Sequence, residues 1–587
     1  MLVKKLTWLV ISVLMVLSLI MASCGTTTME EEEEEEVVME EEEEEEKEEE
    51  EVITGPKVPQ HGGTLTISRT SDPTNWDPYF MIRSEGTLIL ETLARRKLEV
   101  DPSEFDFTTR FFPFKYREGN LAESWETSSD MTVYTLHIRQ GVHWQNVPPV
   151  NGREFTAYDV VYHYHRMLGI GSGFTDGSTY ISLRMYAGIE SVTATDKYTV
   201  VFELKAPELA LLEALTADSM YNYMEPREGV EEWGDVNDWK HVIGTGPFMM
   251  DDYVSGSSIT VTRNPNYWRF DPLYPENQLP YVNKVQVLII PDNSTSIAAL
   301  RTGKIDLLEN LDWEQAGNIQ DTNPDMLYAT SLRDGNALGF MVDKAPFDDL
   351  KVRKAMQMAM DLDTIAEAYY GGTVDPTPCG LEGTIFEGYY NPYDEWPEDV
   401  KEGYIYNPEG AKELLDEAGY PEGFKCTLSA ASNSNLDLWQ IAAAYLSDIN
   451  IEMELDVIEA SSFRTYLRSE KHTMFNTTSA QNIIPPLVNL NRRYSDHPNY
   501  SSHHIKDEIF DNLWVEGNAS LDEDERMGII READMRAITQ HWVVDLLSPV
   551  AYHMYNPWLH RYAGQNASEL GNMCAWFWID KDLKDAR

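Results

Sequence analysis

From Gly62 to the C-terminus, β-patterned stretches and helix-patterned stretches alternate without a fixed period, and this irregular alternation limits the fold more than any other feature of the chain. The stretch GGTLTISRT (Gly62–Thr70) places apolar residues at every second position among β-favouring neighbours, which predicts a strand. Similar patterns recur at Tyr134–Arg139, Tyr198–Leu204, Ser258–Arg263 and Lys284–Ile290. Helices are predicted at Thr156–Leu168, Ser294–Gly303, Asp349–Met360, Asn407–Gly419 and Leu436–Asp448. Thr156 is placed to cap the first of these, Asp159 complements its N-terminal dipole, and Gly419 is a stop signal for the fourth. The order argues against a barrel or a repeat array and predicts mixed α/β lobes. With 587 residues, the chain is long enough for two or three domains.

The first 61 residues read differently. Lys4 and Lys5 precede an apolar run from Leu6 to Ile20, and the small residues Ala22 and Ser23 lead to Cys24. This is the layout of a secretory signal over residues 1–23, and with the cysteine just after the small residues it resembles a bacterial lipoprotein signal. That resemblance implies acylation of the Cys24 thiol and an extracytoplasmic chain fixed to the bacterial cell membrane, on its periplasmic or cell-surface side. Met21 stands where such signals usually have Leu. An uncleaved membrane anchor is the other reading of the apolar run. Residues 24–61 contain the run Glu30–Glu51, with eighteen Glu and one Lys. Like charges four residues apart oppose a helix, and self-repulsion extends a linker, so this segment is expected to be a disordered acidic tether.

Net charge is −53, and the chain is acidic even without the Glu-rich run. A nucleic-acid partner, which requires a basic footprint, is excluded on that ground. The four cysteines, Cys24, Cys379, Cys426 and Cys574, form no CxxC pair and have no zinc spacing. The last three are expected to be mainly free thiols in or near the core, with a disulfide among them left open. His163 and His165 stand two apart on a predicted helix and do not face one ligand, and His503 and His504 lie in a polar stretch that reads as solvated. No metal site and no cofactor are therefore expected. No HExxH, GxSxG or P-loop motif occurs, so no catalytic residue is assigned and the chain is not expected to be an enzyme.

Several stretches, taken in order, resemble the extracellular solute-binding proteins of ABC importers, family 5, the oligopeptide, dipeptide and nickel branch. LAESWETSSDMTVYTLHIRQGVHWQN (Leu121–Asn146) resembles that family's most recognisable segment, and GREFTAYDVVYHYHRM (Gly152–Met167) its following loop and helix. IGTGPFMMDDYVSGSSITVTRNPNYW (Ile243–Trp268), ALRTGKIDLLENL (Ala299–Leu311), APFDDLKVRKAMQMAMD (Ala345–Asp361), YNPEGAKELLDEAGY (Tyr406–Tyr420) and YLSDINIEMELDVIEASSF (Tyr445–Phe463) continue the series. The resemblance covers nearly all of the chain after residue 62. It implies a two-lobed periplasmic-binding-protein fold of type II with an extra subdomain in the first lobe. The expected divisions are 62–95 with 241–330 and 545–587 for lobe I, 96–240 for the subdomain, and 331–544 for lobe II. Most landmarks are expected to be structural. Gly244 and Gly246 would supply dihedrals for a turn before Pro247, and Trp125 and Trp268 would be core residues.

The resemblance also implies a function. A small-molecule solute, oligosaccharide-like or peptide-like, would be captured between the lobes by a monomer and passed to the permease subunits of an ABC importer. Two alternatives stay open: a secreted lipoprotein hydrolase, and a binding protein repurposed as a receptor or chaperone. Peptide binders of the family hold the ligand's amino terminus with an aspartate of the second lobe, but the comparable stretch His472–Ser495 has no Asp or Glu before its end. It offers neutral groups instead, with Thr478, Ser479, Gln481 and Asn482 as candidate ligand contacts beside Asn476 and Thr477, followed by Arg492 and Arg493. Met341 stands where the family favours Asn. Trp76, Trp439, Trp542 and Tyr552 complete the candidates as rings able to stack on a sugar or a flat ligand, with core packing as their competing role.

Overall fold

The computed structural model describes residues 58–80, 85–97, 100–101, 103–105, 114–178, 186, 188–216, 222–480, 486–491, 493–495, 502–520, 522–565 and 570–587. The signal segment, Cys24, the acidic run, Gln481, Asn482 and Arg492 lie outside the described residues. The chain separates into Met1–Val58 and Pro59–Arg587, and every element below belongs to the second unit.

Three sheets organise this unit. The largest has seven strands, in the spatial order Leu327–Leu332, Val550–Tyr555, Leu307–Leu311, Thr64–Arg69, Lys284–Ile289, Ser258–Arg263 and Phe248–Val254. Thr64–Arg69 lies near its centre, in parallel register with Lys284–Ile289. The sequence alternation predicts one solvated face for this strand, yet Leu65, Thr66, Ile67 and Ser68 are all buried. A central parallel strand is covered on both sides, so its short hydroxyl side chains are enclosed with the aliphatic ones.

A five-stranded sheet runs Ile451–Ile458, Phe424–Ala431, Met474–Ser479, Gly335–Phe340 and Val543–Asp545. The helix Leu436–Asp448 connects the parallel strands Phe424–Ala431 and Ile451–Ile458 and buries Leu438, Trp439, Ala442 and Leu446 in the same core. The third sheet, antiparallel, runs Ala122–Thr127, Val133–Ile138, Thr199–Leu204 and Ile189–Asp196. The helix Ala157–Leu168 contributes Val160, Tyr164 and Met167 to its core. As predicted, Asp159 closes the start of that helix, accepting from the Thr156 N–H at 2.8 Å, and Gly169 ends it in the left-handed conformation.

A buried charge network ties the loop after Thr64–Arg69 to this helix. Arg166 donates to both carboxylate oxygens of Asp77 at 2.8 and 2.6 Å and to Glu225 at 3.1 Å, while His163 Nδ1 lies 2.6 Å from the other Glu225 oxygen. All four side chains are almost completely enclosed. His165 turns elsewhere, to Ser172 and the Val192 carbonyl, so the two histidines diverge as their spacing requires.

Two expectations need correction. Gly244 and Gly246 do not have left-handed dihedrals; a Cβ at either would collide with the Ile89 carbonyl, so close backbone approach is the reason for glycine there. His503 is buried, not solvated, packing edge-on to Phe475 at 4.8 Å, and His504 is mostly enclosed between Asp343 and Glu470. Arg353, on the helix Leu350–Met358, is buried. It donates to the carbonyls of Phe347 and Gln540, and burial lowers its pKa to about 10. Cys379, Cys426 and Cys574 are free thiols, and Met341 is fully enclosed.

Candidate functional site

The chain passes between the seven-stranded and five-stranded sheets at two adjacent places. Leu327–Leu332 in the large sheet leads within three residues into Gly335–Phe340 in the smaller one, and Val543–Asp545 leads back into Val550–Tyr555. The passages are hydrogen-bonded to each other. The Arg333 N–H donates to the Pro549 carbonyl at 2.9 Å, the Asn336 N–H to Leu547 at 2.9 Å, and the Leu546 N–H to Asn336 at 2.8 Å. Leu547 is held at φ +71°, a conformation that non-glycine residues seldom adopt without support. The Tyr370 hydroxyl supplies part of that support by donating to the Leu546 carbonyl at 3.1 Å.

Polar side chains gather on the five-stranded side of this crossing. Asp545 is fully buried and accepts from the Ser479 hydroxyl at 2.5 Å, the Cys379 N–H at 3.2 Å and the Leu547 N–H at 3.3 Å. Burial pushes its pKa up to about 6 against the pull of those donors. Asn336 Nδ2 donates to the Tyr370 hydroxyl at 3.0 Å, and its Oδ1 accepts from Asn435 at 2.8 Å. Gly335 lies so close to the hydroxyls of Ser479 and Ser548 that no Cβ fits. Just beyond, the Ala480 N–H donates to the Gly380 carbonyl at 2.9 Å, which draws in Leu381 and Glu382. Both of their N–H groups reach Asp534 Oδ1, at 2.7 and 3.3 Å, and burial raises that carboxyl to about 6 as well.

On the large-sheet side, Arg69 ends its strand between two buried carboxylates, 3.3 Å from Glu85 and 3.5 Å from Glu309. Glu309 also accepts from the Tyr562 hydroxyl at 3.3 Å, and Ser331, at the end of its strand, lies 2.8 Å from His553 Nε2. Open α/β sheets present their ligand sites at the carboxyl ends of their parallel strands, which is where Arg69 stands. The crossing thus has one charged wall and one wall of amides, hydroxyls and buried carboxyls.

The sequence candidates distribute unevenly around it. Ser479 is at the crossing, buried beneath Asp545, and half-buried Thr478 pairs with Asn336 while its carbonyl accepts from buried Arg493 at 3.3 Å. Half-buried Tyr552 lies on the strand after the second passage, 6.0 Å from Tyr328. Trp439 is enclosed, with its indole N–H on Ser434 at 2.9 Å, next to the Asn435 that reaches Asn336. Trp76 and Trp542 pack in separate apolar clusters, edge-on to Tyr253 at 5.7 Å and Phe510 at 5.0 Å. Sequence reasoning passed over Asn336, Asp545, Glu382 and Asp534. A signal was present for two of them: Glu382 and Asp545 are single carboxylates in otherwise uncharged runs, CGLEGTIF and WVVDLLSP.

Among the described residues, no group of three or more His, Cys, Asp or Glu is arranged to hold a metal ion, and no helix is long and apolar enough to cross a membrane. The mixed α/β arrangement of these sheets is a fold that solved periplasmic binding proteins share. The ABC transporter-associated periplasmic binding protein DppA from Helicobacter pylori, solved with the peptide STSA, superposes with a TM-score of 0.72 at 24% identity, covering 89% of this chain and 99% of its own. The family described as bacterial extracellular solute-binding proteins, family 5 Middle, matches residues 117–501, and the chain belongs to that family. Heme-binding protein A of Haemophilus influenzae is 31% identical over 320 residues, 52% of this chain, so that the match spans only about half of that relative, 55% of its length. The periplasmic oligopeptide-binding protein OppA of the same species is 25% identical over 530 residues, covering 86% of this chain and 92% of OppA.

Proposed function

We propose that the chain captures a small organic solute between lobe I (62–95, 241–330 and 545–587, with the subdomain 96–240) and lobe II (331–544), and delivers it to the permease subunits of an ABC importer. The observation that carries this reading is the pair of hydrogen-bonded passages at residues 333–336 and 546–549, with polar side chains on both sides. Two short adjacent connections allow one half to rotate on the other, the device by which a cleft closes over a solute. The names of the relatives, with a peptide bound to one and heme or oligopeptide in the names of the others, favour an organic solute. In this reading Thr478 and Tyr552 stand on the cleft walls, Gln481 and Asn482 remain candidate ligand contacts, and Ser479, Trp439, Trp76 and Trp542 support the walls from behind. Acylated Cys24 holds the monomer at the outer face of the cell membrane, and the acidic segment serves as its spacer.

Calorimetric titration of the protein with free peptides, oligosaccharides and heme, with products followed by mass spectrometry, tests the reading. Saturable binding with no product is the expected result. Steady turnover of a bound compound would replace it with the hydrolase alternative, and the absence of an adjacent permease pair in the genome would favour a receptor.

A further inference from the structure

The halves built on the two larger sheets also touch away from the passages. The helix Trp313–Thr322 follows the strand Leu307–Leu311, and its Ala316 and Ile319 pack with Leu308 and Met554 of the seven-stranded sheet. Asp312 caps it, accepting from the Gln315 N–H at 2.7 Å, which fixes the direction of its first residue, Trp313. The helix Leu362–Ala368 belongs to the other half, with Ile365 and Ala366 in the core beneath the five-stranded sheet. Its end runs into Gly371, at φ +62°. Here the halves meet. The Trp313 indole N–H donates to the Tyr369 carbonyl at 3.2 Å. The ring lies so close to Gly371 that a Cβ there would stand 2.5–2.7 Å from Cε2, Cδ2 and Cε3 of the indole. The last carbonyls of a helix have no partner within it, and the indole takes up one of them. Elsewhere Leu209, at the head of the helix Leu209–Leu215, packs against the cluster of Leu487, Phe510 and Leu513. The halves are therefore in contact at two separate places, as a closed form requires.

We infer that Trp313 is a clasp: its indole seats on Tyr369 and Gly371 when the halves draw together, and it holds the closed form without touching the solute. This rests on the solute-capture reading and adds to it a share of affinity that is the same for every solute. The position of the contact sets its sense. Leu307–Leu311 is parallel to Thr64–Arg69 and lies between that strand and Val550–Tyr555. Trp313 therefore emerges at the same edge of the sheet as Arg69 and on the cleft side of the passages, where a contact forms on closure and parts on opening. Each partner is anchored in the core of its own half, so neither can follow the other when the halves separate. A binding-competent form that is populated only part of the time scales the apparent affinity by that fraction, and a contact that raises the fraction tightens all solutes alike. The clasp is also light. One hydrogen bond and a ring still 37% exposed can release when the solute is passed on.

The test uses the full chain and three variants. Trp313→Ala removes the clasp, and Trp313→Phe keeps a ring without the N–H. Gly371→Asn sets a Cβ against the indole with a residue that tolerates the left-handed region. Small-angle X-ray scattering without solute reads the halves alone, the acidic segment being common to every sample. Trp313→Ala and Gly371→Asn should each enlarge the radius of gyration, Trp313→Phe should fall between them and the parent, and melting temperatures should stay within a few degrees. In calorimetric titration with free tetrapeptides, oligosaccharides and heme, each probe that binds the parent should bind Trp313→Ala roughly three- to tenfold more weakly, by a common factor. Gly371→Asn should add little in the Trp313→Ala background, because the two changes break one contact. Unchanged scattering overturns the clasp and leaves solute capture standing. So does a loss confined to one probe, which would make Trp313 a solute contact, and so does tighter binding by Trp313→Ala, which would assign the contact to the open form. If no probe binds the parent, solute capture falls for these classes, and the scattering alone decides whether the indole holds the halves together.

Discussion

The Ser479 hydroxyl donates to Asp545 Oδ1 at 2.5 Å, joining the last residues of two strands on either side of Gly335–Phe340. Asp545 is the last residue of its strand before the second passage, and Ser479 is opposite Gly335, the first residue after the first passage. One buried hydrogen bond therefore fastens both ends of the crossing on the five-stranded side. Charge-assisted bonds of this kind are among the stronger ones in proteins.

Stability should fall as pH rises from about 4 to about 6. Burial raises the Asp545 and Asp534 carboxyls from 3.8 to about 6. A carboxyl with a higher pKa in the folded state binds its proton more tightly there. Its contribution is complete below the unfolded value and is lost as pH climbs through the folded one. Each group contributes at most on the order of 2–3 kcal/mol across that window. Melting temperature followed at half-unit steps of pH should show the decline, and Ser479→Ala, which removes a donor to the Asp545 carboxylate, should extend it to higher pH. An identical profile in the variant would contradict this coupling.

Gly335→Ala should loosen the crossing. The added methyl meets the hydroxyls of Ser479 and Ser548 inside normal contact distance, and the neighbouring passage leaves little room to yield. Overpacking of this kind costs roughly 1–3 kcal/mol. A lower melting temperature, together with altered solute affinity, is the expected outcome; a variant indistinguishable from the parent in both would show that the two serines swing aside freely.

Arg166→Met should be strongly destabilising. It strips Asp77 and Glu225 of their shared cation while both remain fully buried. Removing one partner from such a network costs about 3–5 kcal/mol. The double variant Arg166→Met with Asp77→Asn should recover part of the loss in a thermal melt, because one uncompensated charge leaves with the substitution.

Replacing Glu30–Glu51 with a Gly/Ser segment of equal length should leave solute affinity unchanged, since a spacer acts only through its reach. A large loss of affinity in calorimetry would give the acidic run a direct role in binding.

Much of this architecture was readable where local pattern and structure agree. Leu436–Asp448 is a helix over the predicted residues, and Ser258–Arg263 a strand over its own. Asn407 and Gly419 punctuate their helix as their chemistry requires, one capping the Gly410 N–H and the other following in the left-handed region. The crossing was not readable. Val543–Asp545 is too short to display a period of two, and Gly335–Phe340 is buried at nearly every position and shows no alternation. His503 looks solvated because its sequence neighbours are polar, yet the residues that enclose it, among them Phe475 and Arg493, are distant in sequence or contributed by another element. The contact of Glu382 with Asn489 was hidden for the same reason: its carboxylate and its amide come from segments that only the folded chain brings together.

The strand Val550–Tyr555 fills a place between Leu307–Leu311 and Leu327–Leu332 that stays vacant until the long segment after Leu332 has been made. The cost of closing so long a loop grows only as the logarithm of its length, so the intervening segment of roughly 200 residues can lengthen or shorten at little thermodynamic expense to the large sheet. Its effect falls on timing. During synthesis Leu327–Leu332 waits without a partner on its inner side until that segment has emerged, and Val550–Tyr555 then joins it to the rest of the large sheet.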